Sequence, residues 1–478
     1  MKLRFLGYGN FAITALVLGG LTAVASAQTT QNIRIATYNI EDDINGATVP
    51  LLGLPQVLEG IGEQNVLGNV QPLDILALQE TTSNASLNSP TGQASGMGLI
   101  DTLNGFYGAD TYAVSPYQAT ESGGDVADGN GPNTVIYNTK TMTLLASVPV
   151  DPSGGTSHLG SSSGEYREVM RYEFQPKNDT NPADVFYVYV SHYKSGTGTT
   201  NQNDRAGEAQ IIVTNEATLP AGSSVLLVGD YNVSSSSEAS YQDVVASNSL
   251  TNLPTGKGID PLNLTAATGI TWGSSTLSML SESANDMRYR DDFQVMSQHV
   301  YRADNGGLEY INGSYHVFGN NGTISYQGSV NNRGNTSLNS LMLRGDLNLD
   351  GSVTASDISQ MLSMLTNVSA YQSAHSLSNS ALLAVADVNG DGVINNADVQ
   401  ALLTELQNPT AVNAPVTAST VLADLTTASD HLPVVADYSV TFGGGSVSSV
   451  PEPSSLALVA IGSLLVCWRR RNFCTPHG

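Results

Sequence analysis

Short apolar runs alternate with polar, Gly/Ser/Asn-rich loops along most of the chain from Asn32 onward. Runs of about four to eight residues between such loops are typical of β-strands. They predict strands at Ile33–Tyr38, Asp74–Leu78, Thr134–Tyr137, Val185–Val190, Val225–Val228, Phe293–Met296 and Leu432–Val440. Pro55–Gly62 and Arg205–Ala217 have the pattern of helices. Short strands mixed with helices predict a layered domain of the α/β or α+β class.

The pattern changes beyond about Ser340. Two helix-like segments, Ile358–Leu365 and Val399–Leu406, each follow a loop rich in Asp, Asn and Gly, and a Ser/Ala-rich linker separates the two units. Strand character returns after residue 408. We therefore expect a large domain in two parts, 28–340 and 410–442, with a small helical domain at 341–409 inserted between them. The strand-like pieces within 307–340 are expected to complete the large domain before the insertion.

Residues 1–27 have the features of a secretory signal. Lys2 and Arg4 give a positive start, Phe11–Val24 is apolar, and Ala25-Ser26-Ala27 is an A-x-A cleavage site. The alternative is an N-terminal membrane anchor.

The other end, 443–478, has Pro451-Glu452-Pro453, an apolar run from Leu456 to Trp468, and then Arg469-Arg470-Arg471. This order of parts resembles the PEP-CTERM sorting signal of exported bacterial proteins. The resemblance implies recognition by an exosortase-type membrane protease; the alternative is a plain C-terminal anchor. Both ends predict a body that works outside the cytoplasmic membrane, in the medium or at the cell surface, with transient or permanent membrane attachment.

Charge and cysteine content narrow the function. The chain has 42 acidic and 18 basic residues, a formal net charge of −24. This balance argues against a polybasic nucleic-acid binder, but not against an enzyme that reaches phosphates through bound cations. The two cysteines, Cys467 and Cys474, both lie in the C-terminal tail. A disulfide scaffold, thiol catalysis and a Cys-ligated zinc site are therefore excluded for the body.

An internal repeat predicts two calcium sites. In each copy, oxygen-bearing side chains occupy loop positions 1, 3, 5 and 12, Gly occupies position 6, and position 7 offers its carbonyl. Hard oxygen ligands at this spacing wrap one Ca²⁺, and the Gly permits the sharp turn. The predicted ligands are Asp346, Asn348, Asp350, Ser352 and Asp357 in the first loop, and Asp387, Asn389, Asp391, Val393 and Asp398 in the second.

Two such loop–helix units over 344–408, with Asp rather than Glu at position 12, resemble an EF-hand-like type I dockerin module. The resemblance implies Ca²⁺ in both loops and a cohesin-like partner. The loops begin at 346 and 387, 41 residues apart, with the linker between them. Two readings stay open: the module binds a partner, or it only ties a loop together. The alternative to a calcium module is a pair of Asx-rich turns without calcium.

Polar residues next to the predicted strands form the candidate catalytic set. They are Asn39, Glu41, Glu80, His192, Asp230, Asn232, Asp292, Asp430 and His431. Singly, each is explained as an ordinary strand cap or turn residue. Jointly, two Asn, two His and several carboxylates at strand junctions indicate a site, because strand ends bring distant residues to one edge of a sheet.

The strings Tyr-Asn39-Ile, Leu-Gln-Glu80, Ser-His192, Gly-Asp230-Tyr-Asn232, Asp292 and Ser-Asp430-His431-Leu-Pro-Val resemble the endonuclease/exonuclease/phosphatase superfamily, in the same chain order. The resemblance spans about 33–305 and 412–440. It implies the DNase I-like fold, a two-sheet β-sandwich flanked by helices with the site at one edge. More than 130 residues separate the strand opened by Asp292 from the Ser-Asp-His strand. The calcium module is therefore expected to be inserted into the catalytic domain.

The resemblance and the chemistry of phosphoesters together suggest roles. Mg²⁺ (or Mn²⁺) held by Glu80, with Asn39, Asp430 and Glu41 nearby, neutralises a phosphate oxygen. His431, oriented by Asp292, is the candidate general base. Asp230 orients the water or assists the leaving oxygen, and His192 protonates the leaving group or binds the phosphate. Asn232, Asn39 and Arg167 are expected to contact the phosphate; the alternative for Arg167 is an ordinary strand-edge arginine.

These features predict a secreted, divalent-metal-dependent phosphoesterase, with a nuclease acting on DNA or RNA as the favoured activity. Export, His192 and Arg167 favour a nuclease, whereas the strong negative charge disfavours it. One alternative is a phospholipase, a sphingomyelinase-type enzyme or a small-phosphoester phosphatase. The second alternative, from a different class, is a non-catalytic, calcium-binding extracellular scaffold.

Overall fold

The computed structural model describes residues 28–41, 53–81, 99–116, 133–150, 167, 169–245, 257–263, 270–302, 307–408 and 416–442. The predicted signal segment 1–27 and the predicted sorting signal within 443–478 lie outside these described residues. In the described part of the chain, no helix is both long and apolar enough to span a membrane.

Within the described residues, seven strands form a first mixed sheet. They are β1 (Thr29–Asn39), β2 (Ile75–Gln79), β3 (Tyr112–Val114), β4 (Thr134–Asn138), β10 (Leu308–Tyr310), β11 (His316–Val317) and β12 (Val434–Phe442). The strand order is β10-β12-β1-β2-β4-β3, with β11 paired to β12. The β1–β2 pair is parallel, which places the carboxyl ends of both strands at one edge. The strand-like pieces predicted within 307–340 are thus β10 and β11, and both pair with the last strand of the same sheet.

The second sheet has five strands in sequence order. They are β5 (Met142–Val150), β6 (Val169–Pro176), β7 (Phe186–His192), β8 (Ser224–Asp230) and β9 (Asp292–Met296). The β7–β8 pair is parallel and the other pairs are antiparallel. Because β9 runs opposite to β8, the start of β9 lies at the same edge as the ends of β7 and β8.

Ten α-helices are present in the described segments. They are α1 (Leu54–Glu63), α2 (Leu99–Tyr107), α3 (Thr199–Glu216), α4 (Ala239–Val244), α5 (Gln298–Arg302), α6 (Ala355–Thr366), α7 (Val368–Ala374), α8 (Asn379–Ala386), α9 (Asn396–Gln407) and α10 (Ala418–Ala428). Helices α1 and α10 pack on each other, and both contribute buried apolar residues to the main core. The predicted class, two mixed sheets flanked by helices with a helical calcium region, is confirmed.

A buried polar contact joins the two sheets. The inner strands are nearly continuous apolar runs, and residues from both sheets form one core cluster. Gln294 of β9 is fully buried, and its Nε2 donates to the carbonyls of Ile35 (3.1 Å) and Val434 (2.8 Å) in the first sheet. Tyr438 Oη donates to the Oε1 of the same glutamine (2.8 Å). These bonds satisfy the amide in the core, where an unsatisfied polar group is costly, and they fix how the two sheet edges meet.

Helices α6 to α9 form a second, smaller core, made of Leu347, Met361, Met364, Tyr371, Leu382, Val385, Ala386, Val388 and Leu402. In chain order these helices lie between β11 and β12, which pair with each other. The segment between the calcium loops was expected to be a Ser/Ala-rich linker, but it contains α7 and α8. Asn367 and Ser378 begin these helices as N-caps, each accepting a hydrogen bond from a backbone N–H of the first turn.

A buried cluster of charges joins the second core to α1. Arg344 lies 3.9 Å from the carboxylate of Glu59, and its backbone N–H donates to Glu63 (3.3 Å). Glu405 of α9 also faces this guanidinium. Burial raises the pKa values of Glu59 and Glu405 to about 7, and burial together with Glu59 raises the pKa of Glu63 well above its usual value. One guanidinium therefore faces three carboxylates.

This cluster predicts that stability falls as the pH rises. A carboxyl group whose pKa is raised on folding binds more protons in the folded state. Its stabilising contribution is complete below its unfolded pKa, about 4.5, and is lost as the pH rises through its folded pKa, which is about 7 for Glu59 and Glu405. We expect Glu63→Gln to raise the urea midpoint at pH 8 and to leave it nearly unchanged at pH 5. Glu309→Gln, on β10, is the control; equal midpoint shifts at both pH values would contradict the prediction.

Candidate active site at the common edge of the two sheets

The register of the strands aligns the candidate residues. In the first sheet Asn39 is opposite Gln79, so Glu80 follows directly beside it. In the second sheet His192 is opposite Asp230, and Asp230 is opposite Asp292. Three neighbouring strands thus present three site residues in one row, with those of the first sheet facing them across the sandwich.

Gly229 allows the strands to approach closely before this row. Its φ is +152°, and a Cβ there would overlap the carbonyl oxygen of Ser191, its partner on β7. Any side chain at this position would push β7 and β8 apart. The Gly of the Gly-Asp-x-Asn motif is therefore required by the backbone that places His192 beside Asp230.

Asn39 connects the two sheets at the centre of the site. It is fully buried, and its Nδ2 donates to Glu80 Oε1 (3.1 Å) and to Asp230 Oδ2 (3.0 Å). Its Oδ1 accepts from the backbone N–H of Glu41 (3.0 Å). The amide nitrogen of Asn39 thus donates to both carboxylates and orients Glu80 and Asp230.

His192 lies between the same two carboxylates. Its Nε2 is 3.4 Å from Asp230 Oδ2 and 3.6 Å from Glu80 Oε1. The imidazole is almost completely buried. At these distances His192 can donate a proton to an oxygen atom of a ligand bound between the two sheets, or accept one from it.

His431 and Asp292 form a buried dyad. His431 Nδ1 lies 2.8 Å from Asp292 Oδ2, and Nε2 lies 3.8 Å from Asp230 Oδ2. The backbone N–H of Asp292 donates to Ser281 Oγ (2.9 Å). With Nδ1 donating to the carboxylate, Nε2 is the nitrogen left to accept a proton in the site. Burial alone would lower the pKa of His431, but Asp292, with Asp230 and Glu282, more than offsets burial, and the pKa lies well above its usual value.

The loop before β12 places Asp430 at the mouth of the site. Ser429 Oγ donates to the carbonyl of Asn39 (2.8 Å) and accepts from the backbone N–H of His431 (3.0 Å). The backbone N–H of Asp430 donates to Glu41 Oε2 (3.3 Å). The side chain of Asp430 is 52% exposed, unlike the others, and lies 3.6 Å from His431 Nε2.

Asn232 and Arg167 meet at one carbonyl. Asn232 Nδ2 donates to the carbonyl of Tyr193 (3.1 Å) and to Asp230 Oδ1 (3.0 Å), and its backbone N–H reaches the same carboxylate oxygen (3.0 Å). Arg167 Nη1 donates to the Tyr193 carbonyl (2.6 Å), and its backbone N–H donates to the buried Glu208 (2.9 Å). In this arrangement Asn232 holds Asp230 in place. Arg167 contacts the same Tyr193 carbonyl as Asn232.

Three site residues have left-handed backbone conformations. The φ angles are +51° for Glu41, +55° for Glu80 and +50° for Asn232. Such angles are uncommon for non-glycine residues and carry a strain of about 1–3 kcal/mol each. Each residue lies one or two positions after the strand end that carries the site, so the strain is concentrated where the chain turns its polar side chains inward.

Glu282 and Asp291 belong to the same site, although sequence reasoning gave neither a role. Glu282 forms an antiparallel bridge with His431, and its carboxylate groups with those of Asp430 and the imidazole of His431 within 4.8 Å. Asp291 hydrogen-bonds to Glu282, and burial followed by this contact raises the pKa of Asp291 well above its usual value. Glu282 lies in an irregular Ser-Glu-Ser loop without a strand pattern. No local pattern therefore marks Glu282 as a site residue.

The donor set fits a hard divalent cation. Carboxylates outnumber imidazoles, and three clusters bring ligating atoms within 4.8 Å of one another. They are Glu80, His192 and Asp230; Asp230, Asp292 and His431; and Glu282, Asp430 and His431. Burial raises the pKa of Asp230 to about 6, with Glu282 and Glu80 adding to the effect. Burial and, to a lesser extent, the neighbouring charge of Asp430 raise the pKa of Glu41. The carboxylates are crowded and lack a balancing positive charge. Mg²⁺ or Mn²⁺ would supply that charge.

The two calcium loops have the same internal geometry. The position-1 carboxylates of Asp346 and Asp387 each accept from the backbone N–H groups of positions 5 and 6, at 2.7–3.1 Å. The position-12 residues, Asp357 and Asp398, accept from position 3 and also complete the capping box of the following helix. The position-6 residue is a glycine with φ of +84° in the first loop and +81° in the second. Each loop is therefore held by the carboxylates at its first and last positions.

Comparisons with known proteins support two of the resemblances directly. Residues 344–407 match the family model described as Dockerin type I domain, and residues 449–471 match the PEP-CTERM protein-sorting motif. The resemblance of these two segments is thus confirmed. No curated protein matches the chain.

Several solved structures resemble the chain at low identity. The human nocturnin catalytic domain is 18% identical, with 59% of this chain and 88% of that chain covered and a TM-score of 0.37. An endonuclease/exonuclease/phosphatase family protein from Bacteroides thetaiotaomicron is 11% identical, with 86% and 99% covered and a TM-score of 0.39. A second, from Bacteroides vulgatus, is 16% identical, with 58% and 90% covered and a TM-score of 0.35. At such scores the function must be argued from the site itself.

Proposed function

We propose that the protein is a divalent-metal-dependent phosphoesterase that hydrolyses phosphodiester bonds by attack of water. The observation that carries this proposal is the His431–Asp292 dyad, with Nδ1 and Oδ2 2.8 Å apart. It faces Asp230 and the crowded carboxylates at the common edge of the two sheets. A base, an acid candidate and a cation-binding set in one buried cleft suit the hydrolysis of an anionic ester.

His431 acts as the general base. A bound divalent cation would offset the carboxylates that raise the pKa of His431, so that the ring would be neutral and its Nε2 would take the proton from the attacking water. Asp292 fixes the tautomer and stabilises the imidazolium that forms. Asp230 lies 3.8 Å from the same nitrogen and orients the water. Two hydrogen bonds from Asn232 to Asp230 Oδ1 keep that carboxylate from rotating.

His192 and Asn39 act on the phosphate side. His192, within 3.6 Å of both Glu80 and Asp230, protonates the leaving oxygen or binds a non-bridging oxygen. Asn39 is the donor that positions both carboxylates, and Arg167, whose guanidinium contacts the Tyr193 carbonyl, supplies positive charge. Each role requires the side chain to lie at the common sheet edge, because proton transfer requires contact at hydrogen-bond distance.

Glu80 and Asp430 would hold the cation, with Glu41 and Asn39 beside them. When bound, Mg²⁺ or Mn²⁺ neutralises a phosphate oxygen and stabilises the charge that develops on the ester. The exposed Asp430 lies at the entrance, whereas Glu80 is buried and oriented by Asn39.

A nuclease is the favoured activity within this class. An exported chain meets nucleic acid released from cells, and His192 and Arg167 provide contacts for a phosphodiester. The net charge of −24 favours a second candidate, a phosphatase of small phosphoesters. Few cationic side chains are available to attract a polyanion, so counterion release would contribute little. Which of the two classes is cleaved is decided by experiment.

The test is cleavage of plasmid DNA by the purified protein with Mg²⁺ and Ca²⁺. We expect cleavage that chelator abolishes and that His192→Ala reduces by about 100-fold or more, the usual scale for a lost acid–base group. His299→Ala, in α5 beyond the far end of β9, is the matched control and should cleave normally. No cleavage by folded, metal-replete protein, combined with hydrolysis of a small phosphomonoester, would replace the nuclease proposal by the phosphatase one.

We also propose that the module at 341–409, inserted between the two parts of the large domain, binds two Ca²⁺ and that the chain is exported to the cell surface or beyond. The paired loop geometry supports the calcium sites, and the sorting motif supports export and processing by an exosortase-type protease. A cohesin-like partner is the corresponding proposal for the dockerin-like segment. Calorimetric titration should give two Ca²⁺ per chain and one after Asp387→Ala; an unchanged count would contradict the second site.

A further inference from the structure

An exposed tyrosine lies at the rim of the proposed active site. Tyr289 is 46% exposed, although most large apolar side chains of the described residues are buried. Its carbonyl accepts from the backbone N–H groups of Ser281 (2.8 Å) and Glu282 (3.1 Å). Glu282 in turn bridges to His431 on its other side. The three backbones of Tyr289, Glu282 and His431 therefore lie side by side.

This pairing determines which way the tyrosine points. Residues directly opposite each other on neighbouring strands project to the same face. The Glu282 carboxylate reaches the ligating atoms of Asp430 and His431 on the site face. Asp291, two residues after Tyr289 and thus on the same face, hydrogen-bonds to Glu282. Tyr289 therefore lies on the face that carries the catalytic groups, about two strand spacings, or about 10 Å, from His431.

A second exposed tyrosine lies on the turn that pairs with the segment before Tyr289. The backbone N–H of Met287 donates to Gly328, and that of Gln327 donates to Met287, which brings the 326–328 turn alongside Arg288. Tyr326 belongs to this turn and is 37% exposed. We call Tyr289 and Tyr326 the ring platform.

The charges around the platform limit what it can bind. Arg288 is paired with Asp286 at 2.6 Å, so its charge is balanced. Between the platform and the dyad lie the carboxylates of Glu282, Asp291 and Asp430. A second phosphate would meet this negative charge, whereas an uncharged planar ring would stack on exposed tyrosines.

We propose that the ring platform binds the nucleobase attached, through its sugar, to the phosphate being hydrolysed. This proposal rests on the proposed phosphodiesterase function and specifies its substrate. It makes Tyr289 a specificity-determining residue and predicts tighter binding of phosphoesters that carry a nucleobase. Stacking on one aromatic ring is worth about a tenfold or greater change in affinity.

The experiment compares two esters that differ in whether the phosphate carries a nucleoside or a methyl group. Thymidine 5′-(p-nitrophenyl phosphate) and methyl p-nitrophenyl phosphate carry the same charge and release the same p-nitrophenolate. We expect Tyr289→Ala to raise KM about tenfold for the thymidine ester and to leave the methyl ester unchanged. Tyr289→Trp should retain the low KM, and Tyr326→Ala should have a smaller effect than Tyr289→Ala. Leu145→Ala, at another exposed apolar side chain (48%) on β5, is the control.

Equal effects of Tyr289→Ala on both esters, or no effect on either, would overturn the platform. If the wild-type protein hydrolyses neither ester, the phosphodiesterase proposal fails, and calorimetric titration with thymidine 5′-monophosphate then tests the platform separately. Binding that weakens about tenfold in Tyr289→Ala supports the platform. Absent or unchanged binding overturns it.

Discussion

Replacing His431 by alanine is expected to lower kcat for phosphodiester hydrolysis by about 10²–10⁴-fold, the range for loss of a positioned general base. The imidazole is the only group in the described site that pairs with the buried Asp292 and also faces Asp230. KM should change much less, because the base acts on water rather than on the bound ester. Steady-state kinetics with a chromogenic phosphodiester gives both constants.

Asp292, the partner of His431, allows a second and more specific test of the general base. Asp292→Asn keeps the shape but removes the charge that fixes the His431 tautomer, so kcat should fall by a comparable factor. Because the two residues act as a unit, the double variant should lose little more than either single variant. Multiplicative losses would show that they work independently. His299→Ala controls for the loss of a histidine, and circular dichroism checks that each variant is folded.

Replacing Arg34 by methionine is expected to destabilise the fold by about 3–5 kcal/mol, the usual result of leaving a buried charge without its partner. Arg34 is fully buried in β1, and its guanidinium forms two bonds with Asp437 of β12, at 2.7 and 2.9 Å. The remaining donors reach main-chain carbonyls, including those of Ile61 and Gln64. Urea denaturation measures the loss.

A double variant separates the charge from the packing. Arg34→Met with Asp437→Leu removes both charges, and such exchanges are often neutral or stabilising. We therefore expect it to recover much of the stability lost in the single variant. Arg288→Met, which breaks the exposed pair with Asp286, should leave the denaturation midpoint unchanged. A single Arg34→Met variant as stable as the wild type would contradict the role of this pair.

The pattern of apolar runs predicted which polar residues lie together better than it predicted the elements around them, for a physical reason. Asn39, Glu80, His192, Asp230 and Asp292 follow or open strong apolar strands, and strand ends at one edge meet in space. Their short motifs are local signals. Which atoms face which is not local: that Asn39 points its amide nitrogen at both carboxylates depends on how the two sheets pack.

The missed features lack a local signal or have a misleading one. The runs predicted as strands do not include β5, an edge strand that alternates half-buried residues and contains Pro149. Helices α7 and α8 have Ser- and Ala-rich sequences that resemble a linker, and they fold because Tyr371, Leu382 and Val385 enter the second core. Glu282 enters the site only because its irregular loop forms a bridge with His431.

The order of the site residues along the chain has a consequence for biosynthesis. A nascent polypeptide grows from its N-terminus, so Asn39, Glu80 and His192 are made long before Asp430 and His431. A chain that has not yet passed the helices α6 to α9 has no general base, and Arg34 has no Asp437 to neutralise it. Under the proposed function, the hydrolase therefore becomes active only as a finished chain, and unfinished chains are both inactive and unstable.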